Sequence, residues 1–234
     1  MKRIALPESK WEAGVCHFVA TPIGNLGDIG LRALSVLADA DIVFAEDTRK
    51  TGRLLSRYEI KVPLASYHDH NKDRAIRSIL EKLHGGQKVA VVSDAGMPCI
   101  CDPGYALVKA LLAAGLTWRV IPGPSSVLAG LVLSGMPPDR FLFLGYLPRK
   151  KGPRRKALIS ALAMEVTVVA FESCHRISST LEILADLGPG REIAVVREIT
   201  KLHEEILRGT PAILQAMMTE RRLKGELVLV LSPD

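Results

Sequence analysis

Three loops in the first half of the chain combine glycine and proline with acidic or hydroxyl side chains. They read Thr21-Pro22-Ile23-Gly24-Asn25-Leu26-Gly27-Asp28, then Ser93-Asp94-Ala95-Gly96-Met97-Pro98-Cys99-Ile100-Cys101-Asp102-Pro103-Gly104, then Pro122-Gly123-Pro124-Ser125-Ser126. Glycine lets a ligand approach the backbone, and proline holds a turn rigid. One such loop is ordinary turn chemistry. Three that follow strands point to a site, because ligands of open α/β sheets bind outside the carboxyl ends of the strands. Gly24, Gly27 and Gly30 are spaced G-x-x-G-x-x-G, which is not the dinucleotide fingerprint, and no G-x-x-x-x-G-K-[ST] phosphate loop occurs. The acidic loop residues suit a ligand with hydroxyls or positive charge instead. Asp94, deep in its loop, reads as a ligand contact. Asp102, just before Pro103 and a helix, reads as an N-cap or Asx-turn.

Two further runs follow strands. Glu46-Asp47-Thr48-Arg49-Lys50 offers carboxylates beside cations, and it reads equally as a helix N-terminus with an acidic cap. In Tyr67-His68-Asp69-His70-Asn71, His68 is a candidate base, since an imidazole titrates near neutrality. The same run reads as a surface loop whose Asp69, His70 or Asn71 caps the next helix. His203, Glu204 and Glu205 are adjacent, so in a strand they alternate faces, and no metal site is expected.

These runs need positioning elements, and the pattern supplies them. Strands are expected over Val15–Ala20, Asp41–Ala45, Val89–Val92, Trp118–Ile121 and Phe141–Leu144. Helices are expected over Leu31–Ala38, Lys72–Leu83, Tyr105–Ala114 and Val127–Leu133. Pro148–Lys156, PRKKGPRRK, has six basic residues and no apolar side chain, and it reads as a linker at a domain boundary. Beyond it alternation resumes, with helices over Ala157–Ala163, Ile177–Leu187 and Pro211–Met218. Strands are expected over Val166–Phe171, Glu192–Val196, His203–Leu207 and Leu227–Leu231. Strand–helix alternation argues for α/β layers. The expected organisation is an extension over 1–14, an α/β domain over 15–147, a basic linker over 148–156 and a second α/β domain over 157–234.

Composition bounds the function. At 234 residues with 48% hydrophobic and 24% charged side chains, the chain can bury a real core. Aromatics at 5% argue against a surface of many stacked bases. A net charge of +6 favours acidic partners such as nucleic acid. The four cysteines, Cys16, Cys99, Cys101 and Cys174, fit neither a disulfide framework nor a zinc pattern. Met1–Gly14 is charged and lacks an apolar core, so no signal peptide is expected. No apolar run reaches the length of a membrane span. A cytoplasmic protein is the expectation.

The segments FVATPIGNLGDIGLRAL, FAEDTRKTGRLL, VVSDAGMPCICDPGY, VIPGPSSVLAGLVLSG and TKLHEEILRG resemble the small-subunit ribosomal RNA methyltransferases that modify a cytidine ribose 2′-oxygen. These belong to the tetrapyrrole-methylase superfamily, and the resemblance runs from about Val15 to Val230. It implies a two-domain tetrapyrrole-methylase-like α/β fold, each domain a mixed sheet flanked by helices, with S-adenosylmethionine in a cleft between them. It also implies a homodimer acting on ribosomal RNA or the small ribosomal subunit. The cofactor region would include Pro22 and Gly24, then Asp94, Ala95, Gly96 and Met97, then Ser125 and Ser126, with Phe171, Glu172 and Ser173 from the second domain. Met97 stands where the family usually has Thr, Cys101 where it has Ser, and Cys174 where it has Pro. Met97 removes a hydroxyl and leaves backbone contacts intact. Many members continue into a small C-terminal domain that helps hold RNA; affinity or substrate choice, more than chemistry, is expected to differ from theirs.

A ribose hydroxyl is a poor nucleophile and needs a base or a nearby cation. The resemblance favours a catalytic reading of the Glu46–Lys50 run, with Glu46 or Asp47 orienting the hydroxyl and Arg49 holding a phosphate; His68 stands beside it as a candidate catalytic base, with the surface-loop reading still open. Arg49, Lys50 and Arg53, with Arg149, Lys150, Lys151, Arg154 and Arg155 of the linker, are the expected RNA contacts. Two alternatives stay open: a tetrapyrrole methyltransferase, and a non-catalytic RNA-binding or ribosome-assembly factor.

Overall fold

The structure, a computed structural model, describes residues 6–9, 11–102, 104–220 and 224–233. Residues 1–5 and 10 of the expected extension, and Pro103 of the second loop, lie outside the described residues. The chain divides into two compact units, Met1–Ser125 and Ser126–Asp234.

The first unit alternates strand and helix: β1 Cys16–Val19, α1 Leu31–Asp39, β2 Ile42–Ala45, α2 Thr48–Arg57, β3 Leu64–Ser66, α3 Lys72–His84, β4 Val89–Val92, α4 Tyr105–Ala113 and β5 Trp118–Ile121. The strands lie in the order β3-β2-β4-β1-β5. Every pairing in this sheet is parallel, and an isolated antiparallel bridge joins Thr21 to Gly96. A parallel sheet is covered on both faces, and its inner strands β2 (IVFA) and β4 (VAVV) are apolar throughout. Val19, Val43, Ala45, Ala90 and Val92 pack with Ala33, Leu34 and Leu37 of α1 and with Leu54 and Leu55 of α2. The alternate side chains Cys16, Phe18, Phe44, Val89 and Val91 pack with Ala75, Ile79 and Leu83 of α3 and with Leu107 and Leu111 of α4.

The second unit comprises α5 Ser126–Ser134, β6 Phe141–Tyr146, α6 Lys151–Leu162, β7 Thr167–Ser173, α7 Ile177–Leu187, β8 Ile193–Arg197, β9 Glu205–Gly209, α8 Pro211–Glu220 and β10 Glu226–Leu231. Its sheet runs β6-β7-β10-β8-β9 and is mixed: β6 pairs with β7 in parallel, and the other neighbours are antiparallel. Helices α6, α7 and α8 bury Leu158, Leu181, Leu184 and Leu214 against one face, with Val168, Val195 and Leu229. Helix α5 packs on the other, where a Cβ at Gly130 would come within 2.7 Å of Val228 Cγ1. No real Cβ tolerates that distance, so glycine is what lets α5 approach.

The division between units therefore falls at Ser125/Ser126, upstream of the break expected at 147/148. Helix α5 and strand β6 belong with the second sheet: β6 pairs with β7, and Arg208 of β9 donates to the carbonyls of Leu133 and Ser134 at the end of α5. The basic run is no linker beyond Lys150. Lys151–Lys156 forms the first turns of α6. Pro153 sits in the first turn, where a missing N–H breaks no helical bond, and lysine and arginine are good helix formers.

Candidate functional site at the carboxyl edge of the first sheet

Parallel pairing puts the carboxyl ends of β1 to β5 along one edge, so the loops that follow them share it. The three Gly/Pro loops are therefore neighbours. The Thr21 N–H donates to Gly96 O at 2.9 Å and the Gly96 N–H returns to Thr21 O at 3.0 Å, joining the first loop to the second. The Thr21 hydroxyl also donates to Ser93 O at 3.2 Å. Gly96 has φ +77°, a left-handed conformation that favours glycine. A Cβ there would lie 3.3 Å from Ile23 Cγ2 of the first loop and 3.6 Å from Pro124 O of the third. Gly96 is thus the point where the three loops touch. Pro22 is buried, whereas Gly24 is exposed.

Charge gathers on the same edge. The Asp94 carboxylate accepts from the Asp47 N–H at 2.9 Å and from Lys50 Nζ at 2.6 Å. Glu46 Oε2 in turn accepts from the Asp94 N–H at 3.4 Å. The Asp94 contact holds the Lys50 ammonium above its ordinary range. Asp47 is the N-cap of α2, accepting from the Arg49 N–H, and also takes the Arg49 guanidinium at 3.0 and 2.8 Å. These bonds hold the Asp47 carboxyl well below the usual carboxylate range. The helix-terminus reading of the Glu46–Lys50 run holds: Asp47 caps α2 and fixes Arg49, whose side chain is 86% exposed.

Asp102 departs from its expected role. The N-cap of α4 is Gly104, with no side-chain cap bond. Burial first, then the charge of Glu46, push the Asp102 carboxyl up to about 6; a Ser93 hydrogen bond opposes the shift and Asp94 adds to it. The contact of Lys50 with Asp94 and the carboxyl group formed by Glu46, Asp94 and Asp102 were missed in the sequence, where they lie up to 56 positions apart (46 against 102). Only the strand order β2-β4 signals that they are neighbours.

His68 follows β3 at the same edge. Its N–H is accepted by Asn71 Oδ1 at 2.9 Å, while its ring Nδ1 is buried and lacks a hydrogen-bond partner. Asn71 occupies the N-cap position of α3 without a side-chain cap bond and instead holds Ser66 O and Oγ. Arg53 is exposed on α2. Ala95 is exposed, and Met97 is half-buried in the second loop. Ser125 precedes α5 and Ser126 begins it.

Phe171, Glu172 and Ser173 end β7 in the second unit. The Glu172 side chain is fully enclosed and paired with Arg176 at 2.7 Å. Arg154 is also structural: at 3% exposed it donates to Ser179 Oγ at 2.8 Å and lies against Arg149 O, which removes it from the expected RNA contacts. Lys151 and Arg155 pair across α6 and α7 with Glu182 at 3.4 Å and Asp186 at 3.0 Å. Arg149 and Lys150 remain exposed cations ahead of α6. Among the described residues no group of three or more His, Cys, Asp or Glu side chains could hold a metal, and no helix is long and apolar enough to cross a membrane.

Residues 15–214 match the family described as Tetrapyrrole (Corrin/Porphyrin) Methylases. A "Ribosomal RNA small subunit methyltransferase I" of Synechocystis sp. is 44% identical over 220 residues, covering 94% of this chain and 79% of the relative. The protein of that name from Thermotoga maritima is also 44% identical over 220 residues, covering 94% of this chain and 98% of the relative. A solved diphthine synthase shares the fold at a TM-score of 0.73 and 16% identity, covering 93% of this chain and 90% of that one. The α/β architecture and the matched span agree: the chain belongs to the tetrapyrrole (corrin/porphyrin) methylase family, alongside the ribosomal RNA small subunit methyltransferase I proteins.

Proposed function

We propose that the chain transfers a methyl group from S-adenosylmethionine to the 2′-oxygen of a cytidine ribose in small-subunit ribosomal RNA, in the cytoplasm and as a homodimer. The observation that carries this reading is the likeness, over nearly the whole chain, to relatives named for methylating that RNA.

The first-sheet edge suits the cofactor. S-adenosylmethionine presents a sulfonium and an amine, both cationic, together with ribose hydroxyls. The edge offers Asp94, Glu46 and Asp102 as acceptors, and it gathers the three Gly/Pro loops around Gly96. Asp94 uses two hydrogen-bond acceptor positions on Asp47 and Lys50 and keeps others free, since a carboxylate has about four lone-pair sites. When bound, the cofactor supplies an electrophilic methyl on a good leaving group, so orientation provides much of the acceleration.

The acceptor hydroxyl is the demanding partner. Arg49, held by Asp47 and projecting into solvent, meets a phosphate or the developing alkoxide. Lys50 adds a second cation. Asp47 stays ionised and orients Arg49, so it is poorly suited to take a proton. His68 and Asp102 are the groups at this edge suited to that task, Asp102 because its carboxyl titrates at about 6. The exposed Arg149 and Lys150 would hold backbone phosphates, and the exposed Leu128 and Val132 of α5 suit an apolar contact between copies.

The test is transfer of labelled methyl from S-adenosylmethionine to small ribosomal subunits, with the modified nucleotide mapped by mass spectrometry. Label in a cytidine ribose supports the reading. Label in a porphyrinoid offered alongside, with none in RNA, would replace it.

A further inference from the structure

We infer that Glu172 is a positioning residue: through Arg176 it fixes the segment after β6 to the end of β7. The role of those two segments rests on the proposed function; the tie between them does not.

Strands β6 and β7 are parallel neighbours, so Leu147 and Ser173 leave the sheet at the same edge. The Leu147 N–H donates to Phe171 O at 3.1 Å, the last ladder bond before the chains part. Glu172 turns inward, with 0% of its side chain exposed. Its Oε1 accepts from the Ser173 N–H at 2.7 Å and from Arg176 Nη2 at 2.7 Å, and its Oε2 accepts from the Thr180 hydroxyl at 2.7 Å. With both oxygens bonded and the side chain fully buried, this carboxylate is closed to a ligand. Arg176 Nη1 then donates to Leu147 O at 3.1 Å. One planar guanidinium thus grips the carboxylate at the end of β7 and the carbonyl at the end of β6, a two-sided hold that a lysine cannot reproduce.

A buried carboxylate is costly unless paired, so conserving volume with an apolar pair would serve stability equally well. What the ion pair adds is position. The held carbonyl lies two residues before Arg149 and three before Lys150, the exposed cations assigned to RNA. The carboxylate lies between Phe171 and Ser173, assigned to the cofactor. Glu172 therefore sets both through one fork.

The test compares three variants of the full chain, E172Q, R176K and T180V. Readouts are hydrogen exchange of the 147–154 amides, urea stability, Kd for S-adenosylmethionine, and KM and kcat on small subunits. R176K keeps the charge and loses the second arm. Faster exchange over 147–154 is expected, with KM for subunits raised about tenfold and the cofactor Kd within about twofold of the parent. E172Q should raise both constants, with kcat retained at saturation. T180V removes one hydrogen bond and leaves the fork, so it should lower stability without moving KM. Unchanged exchange over 147–154 in R176K would overturn the inference. So would KM shifts that merely track stability across all three variants. If the parent transfers no methyl to RNA, the proposed function fails, and the exchange measurement alone decides whether Glu172 positions the segment.

Discussion

Replacing Asp94 by Asn separates what this side chain does for the fold from what it does for a ligand. In the fold it accepts from the Asp47 N–H at 2.9 Å and from Lys50 Nζ at 2.6 Å. An amide oxygen keeps the first bond. The second is a partly solvated ion pair, with side chains 53% and 26% exposed, and such pairs are worth about 0.2–1 kcal/mol. The urea unfolding free energy of D94N should therefore fall by less than about 1 kcal/mol. The ligand is affected more. A hydrogen bond to a charged acceptor contributes roughly 1.5–3 kcal/mol, so the calorimetric Kd for S-adenosylmethionine should rise roughly 10- to 150-fold. Substituting Lys50 by Met frees the same carboxylate and should leave Kd unchanged or lower. A D94N variant that binds cofactor as tightly as the parent would remove Asp94 from the site. So would a loss of affinity that only mirrors a loss of folded protein.

Four further outcomes follow from the geometry. Gly96→Ala meets both a left-handed backbone and a neighbour at 3.3 Å; urea titration should show a loss of about 1–2 kcal/mol, with weaker cofactor binding, and a neutral result would mean that the loops do not meet there. Asp102→Asn should change stability with pH. The folded carboxyl titrates at about 6 against a reference of 3.8, so its stabilising protonated form is complete below about pH 4 and is lost as pH rises through 6. At pH 7.5 the variant should be more stable by about 1 kcal/mol, after discounting for solvent screening, and the gap should close near pH 4; a constant gap would contradict the assignment. Arg149→Gln with Lys150→Gln should weaken RNA binding and flatten its salt dependence by about 0.7 per lost phosphate contact. Arg154→Met should instead lower stability and leave the slope unchanged, because Arg154 is buried against α7.

The sequence was most legible where local rules dominate. Apolar runs such as Val89–Val92 mark buried parallel strands, and the i, i+3, i+4 pattern of Ile76, Ile79, Leu80 and Leu83 marks α3. The loops that carry the site could be named because glycine and proline announce turns, and the convergence of those loops follows from parallel pairing. What could not be read depends on contacts across long separations. Composition marked the basic run as a linker, but Leu158, Ala161 and Leu162 just beyond it bury in the second unit's core, and Lys151–Lys156 forms the first turns of that same helix. The resemblance placed Glu172 beside a ligand, yet its carboxylate is closed off by Arg176, Ser173 and Thr180. Asp102 looked like a cap because Pro103 follows it; only the fold brings it near the charge of Glu46.

The carboxyl edge of the first sheet is tested most directly by a crystal structure of the chain with S-adenosylhomocysteine, the demethylated product. The predicted result is ligand density against the Gly96 backbone, with a hydroxyl or amine within hydrogen-bonding distance of the Asp94 carboxylate. Ordered ligand elsewhere on the molecule, with that edge bare, would contradict it.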